Sequence, residues 1–385
     1  MKKAVILGVG RMGQAICWSM KKLGYYVIGV DSHEAAAHNF RQYIKEGEGL
    51  FYLVDGDKDY QHNAIRGRNF KNVLNQESPD VVISSLPYHQ LEERARWCID
   101  NGLRYCDLGG RVDVSQRINE YSLEHATKPV MTDLGLAPGW VNIMAEEGFK
   151  QLGEAEDILM MVGGIPAKPS NPPFNYEVTW SVDGLINEYL DDCEVIENGE
   201  IKSVKGMDGL VEVKTKQLGT LEAFYTSGGA AHSIKSMKER GVKNCAYKTL
   251  RYPGHRDAVR FLIDKAELSS ECVRKVFEKG CVSPEKTKDL VVIASIVKAW
   301  PLSWKNWVII EGESDTDGFS AMQKATSFPI ASVASLMADG LLDKEARGQQ
   351  HRDYWTYPPV TLTYKDIPYE DLGHRLTTLG IVDDK

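Results

Sequence analysis

The chain has no apolar run long enough to span a bilayer, no block of basic residues and no cysteine pair in a CxxC spacing. Each absence removes a class of protein. Without a stretch of about 20 apolar residues there is no helix to cross a membrane. With a formal net charge of −8 and no basic block, nucleic acid and anionic membrane are both poor partners. Seven cysteines, Cys17, Cys98, Cys106, Cys193, Cys245, Cys272 and Cys281, are scattered singly, which suits reduced thiols rather than a zinc site or a disulfide framework. No metal is expected. An apolar strand that starts near residue 3 leaves no room for a signal peptide, so the cytoplasm is the expected compartment. No internal repeat or low-complexity segment breaks the 385 residues, a length that fits two or three domains with a sizeable core.

What is present begins at once. Ala4-Val5-Ile6-Leu7 reads as a buried parallel strand, and Gly8-Val9-Gly10-Arg11-Met12-Gly13 follows before a helix that opens at Gln14. The glycines suit a dinucleotide cradle: Gly8 for the tight turn, Gly10 for close approach of a pyrophosphate, Gly13 for packing of helix on strand. The amides at the helix start, with Arg11 and Met12 among them, would face the phosphates. Tyr25 to Val30 reads as the next strand, closed by Asp31 and Ser32 about twenty residues after the glycines. An acid there accepts from both ribose hydroxyls and repels a 2′-phosphate, so NAD is the expected cofactor.

Strands and helices keep alternating. Gly49 to Val54 is a third strand, ending at Asp55-Gly56-Asp57, where Asp55 would meet the adenine edge or sit in a solvated turn. Asp80 to Pro87 is a fourth, leaving through Ser85, Leu86 and Pro87 at the place where a doubly wound sheet holds its ligand. A helix over Glu92 to Asn101, a fifth strand running to Asp107-Leu108-Gly109-Gly110, and a sixth over Pro129 to Asp133 complete the count.

After the sixth strand comes Asp133-Leu134-Gly135-Leu136-Ala137-Pro138-Gly139-Trp140-Val141-Asn142. It resembles the Gly-Leu-x-Pro-Gly turn that saccharopine dehydrogenase-like enzymes place beside the nicotinamide, with Leu108, Gly135 and Pro138 as contacts. Tyr176 to Tyr189, Leu221 to Gly229 and Leu250-Arg251-Tyr252-Pro253-Gly254-His255 follow in the family's order. Together they are most similar to the lysine 6-dehydrogenase branch. That resemblance implies an α/β fold: a discontinuous Rossmann dinucleotide-binding domain, residues 1–130 and 320–385, plus an α+β substrate and dimerisation domain with a mixed sheet, residues 131–319. It implies NAD-dependent oxidation of the terminal amine of L-lysine, with ammonia and aminoadipate semialdehyde as products, and a homodimer paired through the second domain. Saccharopine reductases carry Leu-Asp-Pro-Gly in this loop, whereas this chain has Ala137, and Asp31 disfavours their NADPH. Reduction of a condensed imine, of the saccharopine or carboxynorspermidine kind, and a non-catalytic NAD sensor stay open as alternatives.

In the second domain Ile158 to Val162, Leu221 to Tyr225, Asp289 to Val297 and Trp307 to Ile310 read as strands with few hairpin connections. Helices are expected at Ser181 to Asp192, Ala231 to Arg240 and Asp257 to Asp264. Phe328 to Ala338 has small residues at helical spacing, suited to close packing back on the first domain, and a terminal helix covers Tyr369 to Leu379. The family often has a Glu after its Pro-Pro; here Pro358-Pro359 is followed by Val360.

Amine oxidation needs a neutral nitrogen, and a lysine ammonium of pKa about 10.4 is almost wholly protonated at neutral pH. A proton acceptor is therefore required, and the rate should rise with pH. Asp107, at a strand end, is a candidate to contact the amine or the ribose, or serves as a turn acid. His255 could take the proton, or be structural. Arg251 closes a strand just before a tight turn, and its planar fork suits the substrate carboxylate. Ser227, Gly228 and Gly229 could offer backbone amides, or form a plain turn. Trp180 and Tyr176 could wall the aliphatic stem of the substrate, or belong to a strand face in the core.

Overall fold

The computed structural model describes residues 1–54, 69–230, 232–282, 288–312, 317–343 and 360–381. Asp55 and the Tyr357-Pro358-Pro359 segment lie outside these residues. The chain divides into two compact units, one from Met1 to Trp140 and again from Ala325, the other from Val141 to Lys324. The division falls at Trp140 rather than near 130, because the Asp133 to Gly139 loop is tied to the first unit: Leu134 N donates to Asp107 O at 2.9 Å.

In the first unit β1 (Lys3–Leu7), β2 (Tyr26–Asp31), β3 (Gly49–Leu53), β4 (Val81–Ser84), β5 (Tyr105–Asp107) and β6 (Val130–Met131) alternate with α1 (Arg11–Lys22), α2 (Glu34–Tyr43), α3 (Phe70–Glu77), α4 (Leu91–Asp100) and α5 (Val112–His125). The strands pair in parallel in the order β3-β2-β1-β4-β5-β6. Such an order reverses direction between β1 and β4, and the crevice past their carboxyl ends is where doubly wound sheets bind nucleotides. Strands covered on both faces read as continuous apolar runs: Ala4, Val5 and Ile6 are all fully buried. The later part of the chain completes this unit. Phe328 stacks on Trp18 at 5.5 Å, Tyr25 donates its hydroxyl to Ser335 O at 3.0 Å, and Ser327 Oγ donates to Met12 O at 3.1 Å. Buried Ala331, Ser332, Ala334 and Ser335 permit that close approach.

The second unit is built on an eight-stranded mixed sheet. After α6 (Trp140–Leu152), its strands are β7 (Asp157–Pro166), β8 (Cys193–Glu197), β9 (Glu200–Val204), β10 (Val211–Thr215), β11 (Gly219–Tyr225), β12 (Asn244–Arg251), β13 (Asp289–Ala299) and β14 (Leu302–Glu311). The path runs β10-β11-β12-β7-β13-β14, with β8 paired to β12 and β9. Among the described residues of this sheet only β12 and β7 pair in parallel. Four of the antiparallel pairs join consecutive strands, and three of these, β8 with β9, β10 with β11 and β13 with β14, are closed by short turns, so hairpins are common here, contrary to the sequence expectation. Helices α7 (Val182–Leu190), α8 (Ser233–Glu239), α9 (His255–Arg260) and α10 (Ser270–Gly280) accompany the sheet. Helix α11 (Ala321–Ala338) contains the boundary between units, and α12 (Tyr369–Thr378) belongs to the first. Among the described residues no helix is long and apolar enough to cross a membrane.

Candidate functional site

The turn after β1 shows how three glycines divide their work. Gly8 adopts φ +86°, and a Cβ on Gly13 would stand 1.9 Å from Gly8 O, so helix α1 can lie on the turn only with glycine there. Gly10 is different: nothing lies within 4 Å of where its Cβ would be, so the backbone is open to approach. Helix α1 has no side-chain cap and no acid in its first turn, which leaves its positive end for an anion. Asp31 is held at the carboxyl end of β2, accepting from Val9 N at 2.7 Å through Oδ2 and from His33 N at 2.8 Å through Oδ1. Ser85 Oγ donates to Gly8 O at 2.9 Å, and Leu86 also borders Gly8. Ser32 and Pro87 are exposed nearby on the chain, whereas Leu108 is half-buried and donates its amide to Ser84 O at 3.4 Å. These residues fit a dinucleotide: an open backbone at a bare helix start, with a fixed carboxylate at the next strand end.

A second constellation occupies the ends of β4, β5 and β6. Asp107 is fully buried, and its Oδ1 accepts from Gly109 N at 2.9 Å and from Asp133 N at 3.4 Å. Asp133 takes φ +57°, accepts from Ser115 Oγ at 2.7 Å, and fits only because position 109 is glycine: a Cβ there would stand 2.0 Å from its Oδ1. Burial, then the neighbouring Asp133 charge, push the Asp107 carboxyl up to about 7. Beside it Ser84 Oγ and Tyr105 OH are likewise buried without a well-formed hydrogen bond. Asp107 therefore anchors the loop that carries Gly135 and Pro138. With no exposed surface it is not placed to touch an amine or a ribose, which corrects the expectation of a contact residue.

In the second unit Arg251, the last residue of β12, is only 3% exposed. Its Nε donates to Tyr189 OH at 3.0 Å, its Nη1 donates to Leu250 O at 2.9 Å, and Nη2 makes no hydrogen bond among the described residues. The guanidinium lies 4.9 Å from the centre of the Tyr176 ring and 5.9 Å from that of Tyr189. Such stacking offsets part of the desolvation of a buried cation. Tyr176 is itself fully buried, with its ring 5.0 Å from that of His255. Its faces are thus engaged by Arg251 and His255 rather than left to wall a substrate stem. Trp180 is half-buried and packs on the same cluster. Neither residue lies in a strand.

His255 has both ring nitrogens committed. Its Nδ1 lies 2.8 Å from Phe174 O, an acceptor only, so Nδ1 carries the proton and Nε2 accepts from Tyr189 OH at 2.9 Å. Burial, then the Arg251 charge, hold its pKa down to about 3. A fully buried imidazole without a vacant nitrogen cannot collect a proton near neutrality, so the expected acceptor role is replaced by an orienting one: His255 aims Tyr189, and Tyr189 aims Arg251.

The glycine turn after β11 is only partly available. Ser227 N donates to Glu188 O at 3.0 Å and its Oγ to Asn187 O at 3.3 Å, so the Ser227 amide is not offered to a ligand. Gly228 is exposed with φ +88°, and Gly229 lies so close to the Tyr247 ring that a Cβ would come within 2.3 Å. Sequence reasoning passed over Glu188. It is half-buried on α7, its carboxylate accepts no hydrogen bond among the described residues, and burial outweighs the pull of Arg251 to bring it up to about 7. A single acid on an amphipathic helix carries no signal of its own; only the fold brings Arg251 beside it.

Comparison with known proteins agrees with this architecture. Residues 135–355 match the saccharopine dehydrogenase C-terminal domain family. The chain belongs to the saccharopine dehydrogenase family. It is 31% identical over 183 residues to the mitochondrial alpha-aminoadipic semialdehyde synthase of Rattus norvegicus, and 30% over 135 residues to that of Mus musculus. Those matches cover 43% and 34% of this chain but only 20% and 14% of the relatives, so the chain spans a small part of their length. The apo saccharopine dehydrogenase (L-Glu forming) of Saccharomyces cerevisiae shares the fold, with a TM-score of 0.69 at 14% identity over 100% of this chain and 99% of that one. A saccharopine dehydrogenase-like oxidoreductase fold is thus the shared frame.

Proposed function

We propose that this member of the saccharopine dehydrogenase family oxidises the terminal amine of L-lysine with NAD. The observation that carries the reading is Arg251, a buried guanidinium with one terminal nitrogen uncommitted and its fork fixed by Tyr189 and Leu250 O. A cation desolvated in that way calls for a carboxylate, and a bidentate partner fits its geometry. On the nucleotide side, the amides around Gly10, Arg11 and Met12 would hold the pyrophosphate, Asp31 the adenosine ribose, and the Ser85 to Pro87 and Gly135 to Pro138 loops the nicotinamide half. When bound, NAD accepts the hydride from C6 of lysine.

The chain's residues do the rest. Arg251 fixes one end of the substrate, the tyrosines around it keep water from the ion pair, and Asp107 holds the Gly135 loop in place. The ε-ammonium gives its proton to solvent before hydride can leave, and water then attacks the resulting imine to release ammonia and the semialdehyde. Because that ammonium titrates near 10.4, the rate rises with pH through the neutral range. Asp31 favours NAD over NADP by repulsion of a 2′-phosphate. The test is formation of reduced nicotinamide from L-lysine, with each cofactor, across pH, together with assay of ammonia. Turnover of lysine with NAD supports the reading. Activity confined to an aldehyde, an amino acid and NADPH overturns it in favour of imine reduction.

A further inference from the structure

We propose that the neighbouring carboxyl groups of Asp107 and Asp133 act as a counter-charge for the oxidised nicotinamide ring, so that binding of NAD, but not of NADH, releases a proton from this pair to solvent. The inference rests on the reading above that the nicotinamide half lies on the loops after β4 and β6, and adds to it a preference for one oxidation state.

Three observations carry it. The two acids pack against one residue: Asp107 Oδ1 accepts from Gly109 N at 2.9 Å, and Asp133 Oδ1 stands 2.0 Å from where a Gly109 Cβ would be, which bounds their separation at about 8 Å. Among the described residues Asp107 forms no ion pair, and its Oδ2 is buried without a well-formed hydrogen bond. The third is place. Asp107 is the register partner of Ser84 at the carboxyl ends of β5 and β4, and Ser84 Oγ and Tyr105 OH are buried there in the same state. Polar groups are thus withheld from water at the end of the sheet where doubly wound folds bind nucleotides.

Charge then decides between the two forms of the cofactor. The titratable groups beside Asp107 are Tyr105 and Cys106 on its own strand and Asp133 on the loop after β6, and none of them is a base. Helix α5 reaches the pair through Ser115, which donates to Asp133 Oδ1 at 2.7 Å. Burial pushes the Tyr105 hydroxyl and the Cys106 thiol well up, so both stay neutral. Asp107, at about 7, is partly protonated near neutrality, and a cation brought close draws its proton off. The oxidised ring carries one positive charge and the reduced ring none, while the rest of the dinucleotide is the same. By linkage, oxidised NAD binds more tightly as pH rises through 7, and NADH does not.

The test is calorimetric titration of the whole chain at pH 6.5, in two buffers of different ionisation enthalpy, with NAD, NADH and ADP-ribose, which lacks the ring. NAD should release about half a proton per site, as expected if the bound cation makes Asp107 about tenfold more acidic, while NADH and ADP-ribose release almost none. Between pH 6 and pH 8 the affinity for NAD should rise about fivefold relative to NADH. Groups on the adenosine side respond alike to all three ligands, so the comparison needs no substitution. In Asp107→Asn, which keeps an oxygen for the Gly109 and Asp133 amides, both effects should vanish, with retained ADP-ribose binding as the check that the variant is folded. Equal proton release with ADP-ribose, or none with NAD, overturns the counter-charge. Because no turnover is needed, the two readings fail separately. Proton release confined to NAD without oxidation of lysine overturns the reaction and keeps the counter-charge; oxidation of lysine without that release does the reverse.

Discussion

At His255 the type of side chain and its setting pull in opposite directions. An imidazole titrates near neutrality in water, but full burial, the Arg251 charge and an obligate acceptor at Phe174 O fix it as a neutral Nδ1–H tautomer. His255→Ala should therefore destabilise the second unit by roughly 2 to 5 kcal/mol, through a cavity and two lost hydrogen bonds, and leave the shape of the pH–rate profile unchanged. Loss of a titration limb between pH 6 and 8 would restore it as a proton acceptor. Arg251 behaves differently, because its pairing capacity is not used up inside the chain. Arg251→Ala should raise the KM for lysine about 100-fold with NAD affinity nearly intact, and an unchanged KM would remove it from the site. That Arg251 ends a strand before Tyr252-Pro253-Gly254 was legible in sequence. Glu188 was not, since its unmet carboxylate is a property of burial rather than of spacing.

At the scale of elements, the loop from Asp133 to Gly139 depends on one buried carboxyl. Asp107 titrates at about 7 in the fold against about 4 when unfolded, so the folded state binds the extra proton between those values. Its contribution to stability is greatest below pH 4 and is lost as pH rises through 7. Asp107→Asn keeps an oxygen for the Gly109 and Asp133 amides and removes the charge. Its melting temperature should thus fall less than that of the parent between pH 5 and pH 8, as followed by calorimetry; parallel curves would show that Asp107 is ionised throughout. The parallel strands around this loop were legible because burial on both faces writes an apolar run. Strands β9 and β10 were not, since Glu200 to Val204 and Val211 to Thr215 bury no residue fully and so show no inward face. The Asn198-Gly199 pair between β8 and β9 was a usable hairpin signal that went unread, with both residues at positive φ. Helix α10 was also missed, although Ser269 caps it by accepting from Cys272 N.

At the scale of the molecule, the two units prepare their parts separately. The first holds the glycine turn and Asp31 in place by its own backbone amides; the second holds Arg251 by Tyr189 and His255. The hydrogen bonds that fix each arrangement come from its own unit, so each ligand should protect its own unit when added alone. A ligand that binds only the folded state at 100 times its Kd stabilises by about 2.7 kcal/mol, enough to slow exchange of amides that open by local unfolding about 100-fold. Hydrogen exchange read by mass spectrometry should then show NAD protecting residues 8–13, 31–33 and 85–87, while L-lysine at pH 9 protects 186–190, 226–230 and 250–255. Protection of the second set by NAD alone, with none from lysine, would mean that Arg251 is positioned by the nucleotide rather than preset by Tyr189 and His255.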